Sequence, residues 1–172
     1  MPIQPTPMNE TASATVDPRA GKYLTFQLAT EEFGVRVLQV REIMGLQDIT
    51  AVPQTPAHVK GVINLRGKVI PVIDLRLKFG LDAGVYSQRT CIIVTQIQGE
   101  SAPIPMGILV DGVSEVLNLA ESDIEDTPDF GEPLASRYLL GMAKVKGKGK
   151  ILLDIDRVLS SQELHGLNAI LQ

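Results

Sequence analysis

From Lys22 onward the chain alternates apolar and polar positions with a period of two. Leu24, Phe26 and Leu28 share one face and Tyr23, Thr25 and Gln27 the other, which predicts a half-buried strand. After a turn over Ala29 to Glu32 the alternation resumes at Phe33, Val35 and Val37. Val69 to Ile73 and Cys91 to Val94 are β-branched runs that strands accept better than helices. Helix signals are confined to two places. Ser160 and Glu163 form a capping box, Leu159 and Leu164 a hydrophobic staple, and Leu164, Leu167 and Leu171 an apolar stripe, predicting a helix from about Ser161 to Leu171. Asp74 to Phe79, closed by Gly80, predicts one or two helical turns. The acidic stretch of Glu121, Asp123, Glu125, Asp126, Asp129 and Glu132, broken by Pro128 and Pro133, reads as a solvated connecting loop. Met1 to Ala20 has Pro2, Pro5, Pro7 and Pro18 and few apolar groups, and is expected to be a disordered tail ahead of one domain over residues 21–172.

An internal repeat sets the architecture. Phe33 to Ile43 aligns with Met106 to Val116 at an offset of 106 − 33 = 73, keeping a Gly, two Val and a Glu. Gly61 to Leu75 aligns with Gly141 to Ile155 at an offset of 141 − 61 = 80, matching Gly67 to Gly147, Lys68 to Lys148 and Asp74 to Asp154. Two matches in the same order predict two similar halves, each ending in a hairpin whose tip carries a basic residue before Gly-Lys. About five short antiparallel strands per half would close into a small barrel, because closure removes exposed sheet edges.

Composition narrows the chemistry. The 172 residues carry 16 Lys and Arg against 20 Asp and Glu, a net charge of -4, and the pI is about 5.2. That balance argues against a dedicated nucleic-acid binder. The lone cysteine, Cys91, excludes an internal disulfide and a multi-cysteine zinc site. Neither an apolar run near the ~20 residues of a membrane span nor a signal peptide is visible, so the expected address is the cytoplasm. Only His58 and His165 could serve a histidine-based site. Around Ser114 the nucleophile-elbow pattern fails at Val116, and the Gly-Lys stretches ending at Lys68 and Lys148 lack phosphate-loop spacing and the Ser or Thr that would hold magnesium. Asp154 and Asp156, flanked by apolar residues, read as strand positions with exposed carboxylates, and Cys91 as a small core residue. Lys144, Lys146, Lys148 and Lys150 fall on one face of a hairpin without interleaved aromatics, which reads as a solvated strand face and turn. No catalytic residue, cofactor site or metal site is expected.

The stretch Gly61-Val62-Ile63-Asn64-Leu65-Arg66-Gly67-Lys68-Val69-Ile70-Pro71-Val72-Ile73-Asp74-Leu75-Arg76 closely resembles the signature of the CheW family of chemotaxis coupling proteins. Glu32 to Val35, Val40 to Ile43, Thr55-Pro56-Ala57 and Val110 to Leu117 resemble the family's other blocks, in the family's order, so that the resemblance covers Lys22 to Leu164. It implies two SH3-like five-stranded β-barrel subdomains on a common hydrophobic core, with short helices and a C-terminal helix.

The resemblance further implies a non-enzymatic signalling adaptor, with the regulatory domain of a CheA-type histidine kinase and the cytoplasmic tip of a chemoreceptor (a methyl-accepting chemotaxis protein) as partners. Neither nucleic acid nor membrane insertion is implied; recruitment to membrane-associated receptor arrays is. The receptor's helical hairpin would dock in an apolar groove between the barrels. Val40, Glu42, Asn64, Leu65, Arg66, Gly67 and Val113 are the implied partner-binding positions, with Arg66 paired to Glu42. One guanidinium can fork onto a carboxylate and still offer donors to another group. The loop from Gln98 to Pro105 is longer than many members have. A small β-barrel nucleic-acid-binding module is the competing reading, disfavoured by the acidic pI and the missing stacking aromatics.

Overall fold

The computed structural model describes residues 17–82, 84–99, 102–126 and 137–171. In chain order it contains β1 (Gly21–Leu28), β2 (Glu31–Arg36), β3 (Val40–Gly45), β4 (Val59–Leu65), β5 (Lys68–Asp74), helix α1 (Leu75–Lys78), β6 (Cys91–Ile97), β7 (Ile104–Val110), β8 (Gly112–Leu119), β9 (Ile124–Glu125), β10 (Leu139–Val145), β11 (Lys148–Leu153) and helix α2 (Ser161–Leu171). Short 3₁₀ turns cover Val37–Gln39, Glu121–Asp123 and Ile155–Arg157. One sheet has the order β8-β1-β2-β11-β10-β9 and the other β3-β6-β7-β5-β4.

The repeat is real, and it is interleaved. Hairpin β1–β2 from the first half joins β8 to β11 of the second, while β6–β7 joins β3 to β5 of the first. The seams are parallel, where the expectation was antiparallel pairing throughout. Gly34 of β2 pairs with Leu152 of β11, and Gly107 of β7 pairs with Val72 of β5, which are equivalent positions under both offsets. Each sheet therefore takes its opening hairpin from one half of the sequence and its closing hairpin from the other.

Three apolar clusters follow from that weave. Ile63, Ile70, Val72, Ile92, Val94 and Leu109 fill one barrel; Tyr23, Leu119, Ile124, Ala143 and Leu152 fill the other. Between them a shared core takes Phe26, Phe33, Val35, Ile73, Ile93, Met106, Ile108 and Leu153 from both sheets. Strands with one face in a barrel and the other in the shared core are buried on both sides, which is why β5 and β6 read as continuous apolar runs. The polar face expected on β1 is also buried: Tyr23 is 1% and Thr25 0% exposed. Their hydroxyls donate to the carbonyls of Arg19 (2.7 Å) and Glu115 (2.9 Å), so neither is buried without a partner.

Local signals set the elements' ends. Asp74 caps α1 by accepting from the backbone N–H of Arg76 (2.9 Å) and Leu77 (3.4 Å), and Gly80 follows at φ 78°. The α2 capping box forms in both directions, Ser160 N–H to Glu163 and Glu163 N–H to Ser160, each at 3.1 Å. Leu159 and Leu164 both pack on the shared core, completing the staple.

Several expectations are corrected. The chain is ordered before Gly21: Arg19 bonds Asp17, Asp126 (2.9 Å) and the Leu140 carbonyl (3.0 Å), clamping Asp17 to Ala20 onto β10, whereas residues 1–16 of the expected tail lie outside the described residues. The acidic stretch contains β9, which pairs with β10, before residues 127–136, outside the described set. β11 ends at Leu153, so Asp154 and Asp156 are half-buried 3₁₀-turn residues, not exposed strand positions. Asp154 caps that turn by accepting from the Asp156 N–H at 3.2 Å, and Asp156 accepts from Gln39 (3.0 Å) and the Gln98 N–H (2.9 Å). Lys150 leaves the solvated row: it is buried against Glu32, in the place that Ile70 holds in the first half.

Candidate functional site

The first hairpin tip has both of its central residues at positive φ, Arg66 at 51° and Gly67 at 86°, the geometry of a two-residue turn that follows the strands' own twist. An L-residue adopts this backbone at a cost of roughly 1–2 kcal/mol. Asn64 supports the turn, its Oδ1 accepting from the Gly67 N–H at 2.9 Å. Below the tip, Leu65 packs on the first barrel's core.

Glu42 comes from β3, at the edge of the same sheet. A bulge between Val40 and Glu42 lifts Arg41 out of the ladder with β6. Val40 and Glu42 stay half-buried while Arg41 and Ile43 face out. Arg66 Nη1 and Nη2 donate to Glu42 Oε1 at 3.0 and 2.5 Å. The Arg66 side chain remains 70% exposed, so its other donors face solvent while one carboxylate oxygen of Glu42 is engaged. The arrangement can hold a carboxylate, release it, or share the guanidinium with an incoming acceptor.

Of the residues singled out from the sequence, Glu42, Asn64, Leu65, Arg66 and Gly67 meet at this end of one barrel. Val40 lies two residues before Glu42 and packs on the shared core. Val113 is elsewhere: it sits on β8 of the other sheet, where it is the repeat equivalent of Val40 and packs on the same core. Ile43 (46% exposed) follows Glu42 on β3, Val69 (46%) stands on β5 three residues beyond Arg66, and Leu38 (89%) precedes β3; none was singled out from the sequence. Their exposure is visible only in the assembled sheets, where β3 turns a carboxylate inward and a β-branched residue outward, the reverse of an ordinary edge strand.

A second feature lies where the sheets meet. A cavity of about 510 Å³ opens between the β1–β2 turn and the end of α1, lined mainly by Leu28, Phe33, Phe79, Tyr138, Ile151 and Leu153. Phe33 stacks on Phe79 at 5.8 Å between ring centroids, Tyr138 packs tilted on Phe79 at 5.7 Å, and the Lys78 ammonium lies 5.5 Å from the Tyr138 ring. Among the described residues no three His, Cys, Asp or Glu side chains cluster to hold a metal, and no helix is long and apolar enough to cross a membrane.

Comparison with known proteins gives a consistent picture. The CheW-like domain model matches residues 22–163. The chemotaxis protein CheW of Klebsiella aerogenes is 41% identical over 156 residues, covering 88% of this chain and 92% of that protein. Its namesake in Rhizobium meliloti is 36% identical over 140 residues, 81% of this chain and 88% of that one. The crystal structure of the scaffolding protein TtCheW from Thermoanaerobacter tengcongensis superposes with a TM-score of 0.74 at 34% identity, covering 84% of this chain and 97% of that chain.

Proposed function

The chain belongs to the CheW-like domain family, and on that premise we propose how it performs the family's task. It is a chemotaxis coupling adaptor. It binds the regulatory domain of a CheA-type histidine kinase and the cytoplasmic tip of a chemoreceptor, placing the kinase under receptor control without chemistry of its own. In this reading residues 21–172 act as one domain in the cytoplasm, recruited to receptor arrays, with Asp17 to Ala20 tied to it through Arg19.

The Arg66–Glu42 pair carries the reading. An exposed ion pair adds little stability, yet this one is kept open at a hairpin tip, on a costly backbone, with Ile43 and Val69 turned outward on β3 and β5. A surface of that kind suits a protein partner that covers the apolar residues and competes for the guanidinium. Val40, Asn64, Leu65 and Gly67 shape that surface, while Val113 belongs to the other barrel. The cavity at the sheet junction supplies the apolar groove that a receptor helix would need.

The direct test is reconstitution. Receptor-bearing membranes and purified kinase are sedimented with and without this protein, and kinase autophosphorylation is measured in the pellet. Recruitment and activation that depend on the protein support the proposal; a kinase that sediments and is activated equally well without it overturns it. The nucleic-acid alternative is not favoured, since no aromatic residue occurs from Lys144 to Lys150 and the net charge is -4.

A further inference from the structure

The second hairpin tip repeats the backbone of the first and departs from it in charge. Lys146 and Gly147 have φ of 53° and 79°, against 51° and 86° at Arg66 and Gly67. The tip lysine after the glycine is also kept, as Lys68 and Lys148. The carboxylate is where they differ. Glu115 is the repeat equivalent of Glu42, yet Arg66 holds Glu42 while Lys146 has no side-chain partner among the described residues. The cause lies in β8, where the Thr25 hydroxyl enters the ladder, donating to the Glu115 carbonyl and accepting from its N–H at 3.1 Å, and the Glu115 side chain is left exposed. Among the described residues neither Lys146 nor Lys148 makes an ion pair or side-chain hydrogen bond, whereas Lys144 behind them is paired to Glu125 at 3.1 Å.

We propose that the β10–β11 tip is a second docking surface of this adaptor, one that takes a small cluster of carboxylates on a folded protein partner. The inference rests on the adaptor reading and adds a site to it. Charge complementarity selects the occupant. Lys146 and Lys148 are exposed cations, and Gly147 and Gly149 are exposed beside them, with nothing within 4 Å of a Cβ placed on Gly147, so a partner surface can approach closely. Exposed Glu121, Glu125 and Asp126 lie on and beside β9, next to β10 in the sheet, and repel any anion that extends past the tip, so the occupant must be an acidic group compact enough to engage the tip alone. No large apolar side chain is exposed at the tip, as insertion into a lipid surface would need. Two point charges on a rigid turn fit a compact acidic patch.

The test uses the whole chain, isotopically labelled for NMR, titrated with hexaglutamate at low ionic strength. Amide shifts at Lys146 to Gly149 should exceed those at Arg66 to Val69, because Glu42 already neutralises Arg66, one of the first tip's two cations. The double variant Lys146→Asn, Lys148→Gln keeps a residue suited to positive φ and removes both charges. It should abolish those shifts with thermal unfolding unchanged, and weaken binding to the receptor fragment or the kinase regulatory domain by about threefold to tenfold at low salt. Equal shifts at the two tips, shifts that survive in the double variant, unaltered binding of both proteins, or tighter binding of a short DNA duplex than of hexaglutamate would overturn the proposal. If neither protein binds even the wild type, the adaptor reading fails, and the hexaglutamate titration still decides the tip.

Discussion

Both terminal nitrogens of Arg66 converge on a single oxygen of Glu42, across 24 residues of chain and from a turn whose φ is positive. The β4–β5 turn brings the arginine, and the bulge at Arg41 keeps the carboxylate half-buried on β3. Neither element alone would make the pair.

Loss of that pair should separate stability from function. Arg66 is largely exposed, so Arg66→Ala should cost only about 0.2–1 kcal/mol, read as a small change in the urea midpoint. Receptor-dependent kinase activation should fall strongly in Arg66→Ala and in Glu42→Ala, and the double variant should be little worse than either, since both remove one interaction. Full activation by both single variants would return the pair to a merely structural role.

Two glycines of the same hairpin should respond very differently to alanine. A Cβ on Gly61 would lie 2.0 Å from the Thr50 carbonyl oxygen, at φ 146°, where Thr50 and Val62 exchange two 2.9 Å hydrogen bonds. Gly61→Ala must break that bridge and should cost more than about 4 kcal/mol or prevent folding. A Cβ on Gly67 meets nothing within 4 Å, so Gly67→Ala should cost only about 1–2 kcal/mol for its positive φ. Chemical denaturation of the two variants, with circular dichroism as the readout, checks the order.

The repeat, the short helix after Asp74 and the capped C-terminal helix were legible because each rests on local signals a few residues apart. What was not legible is how the halves combine. Nothing local tells β2 to pair with β11 rather than β3, because the parallel seam is chosen by the shared core. The same core hid the character of β1: Tyr23 and Thr25 look outward by alternation and are buried because a second apolar cluster lies behind them. At the candidate site, Arg66 and Gly67 were legible as a turn and the pairing only through the family resemblance, since Glu42 lies on a different strand. The exposure of Ile43 and Val69 depends on strand edges and tips that only the assembled sheets define.

Lys150 and Glu32 give a case where the repeat itself predicts the outcome. Lys150 occupies the position of Ile70 and is 8% exposed, with Glu32 as its counter-charge. Removing the charge on Glu32 alone leaves a buried ammonium uncompensated, whereas an apolar residue in place of Lys150 leaves a carboxylate that is already a third exposed. Glu32→Gln should therefore destabilise more than Lys150→Ile, and Lys150→Ile combined with Glu32→Gln should recover much of the loss. Urea midpoints of the three variants measure it; a Glu32→Gln variant as stable as wild type would show that the pair contributes nothing.

The acid limit of the fold should pass through Glu163. Burial alone would raise its carboxyl, but the Ser160 N–H, the Lys78 ammonium at 3.0 and 3.2 Å and His58 Nε2 at 2.5 Å outweigh burial and bring it from the ordinary value of 4.5 down to about 2. A carboxyl depressed in the folded state stabilises that state fully above its unfolded value and loses this contribution as pH falls through the folded one. The window thus runs from about pH 4.5 down to about pH 2. Asp17 is also held below the usual carboxylate value by Arg19, and Asp111, which burial alone would raise, by Arg76 and the Ala29 N–H, so wild-type acid unfolding sums several groups. Glu163→Gln isolates one: Gln still serves the capping box, so helix α2 keeps its first turn while the charge is lost. Wild type should be the more stable at neutral pH, by a margin that is constant down to about pH 5 and shrinks steadily below it. Amide exchange along Ser161–Leu171 supplies the local readout, slowed in wild type relative to the variant at neutral pH and equal to it near pH 2. A stability difference that stays constant across the whole acid range would show that Lys78 and His58 do not hold this carboxylate in solution.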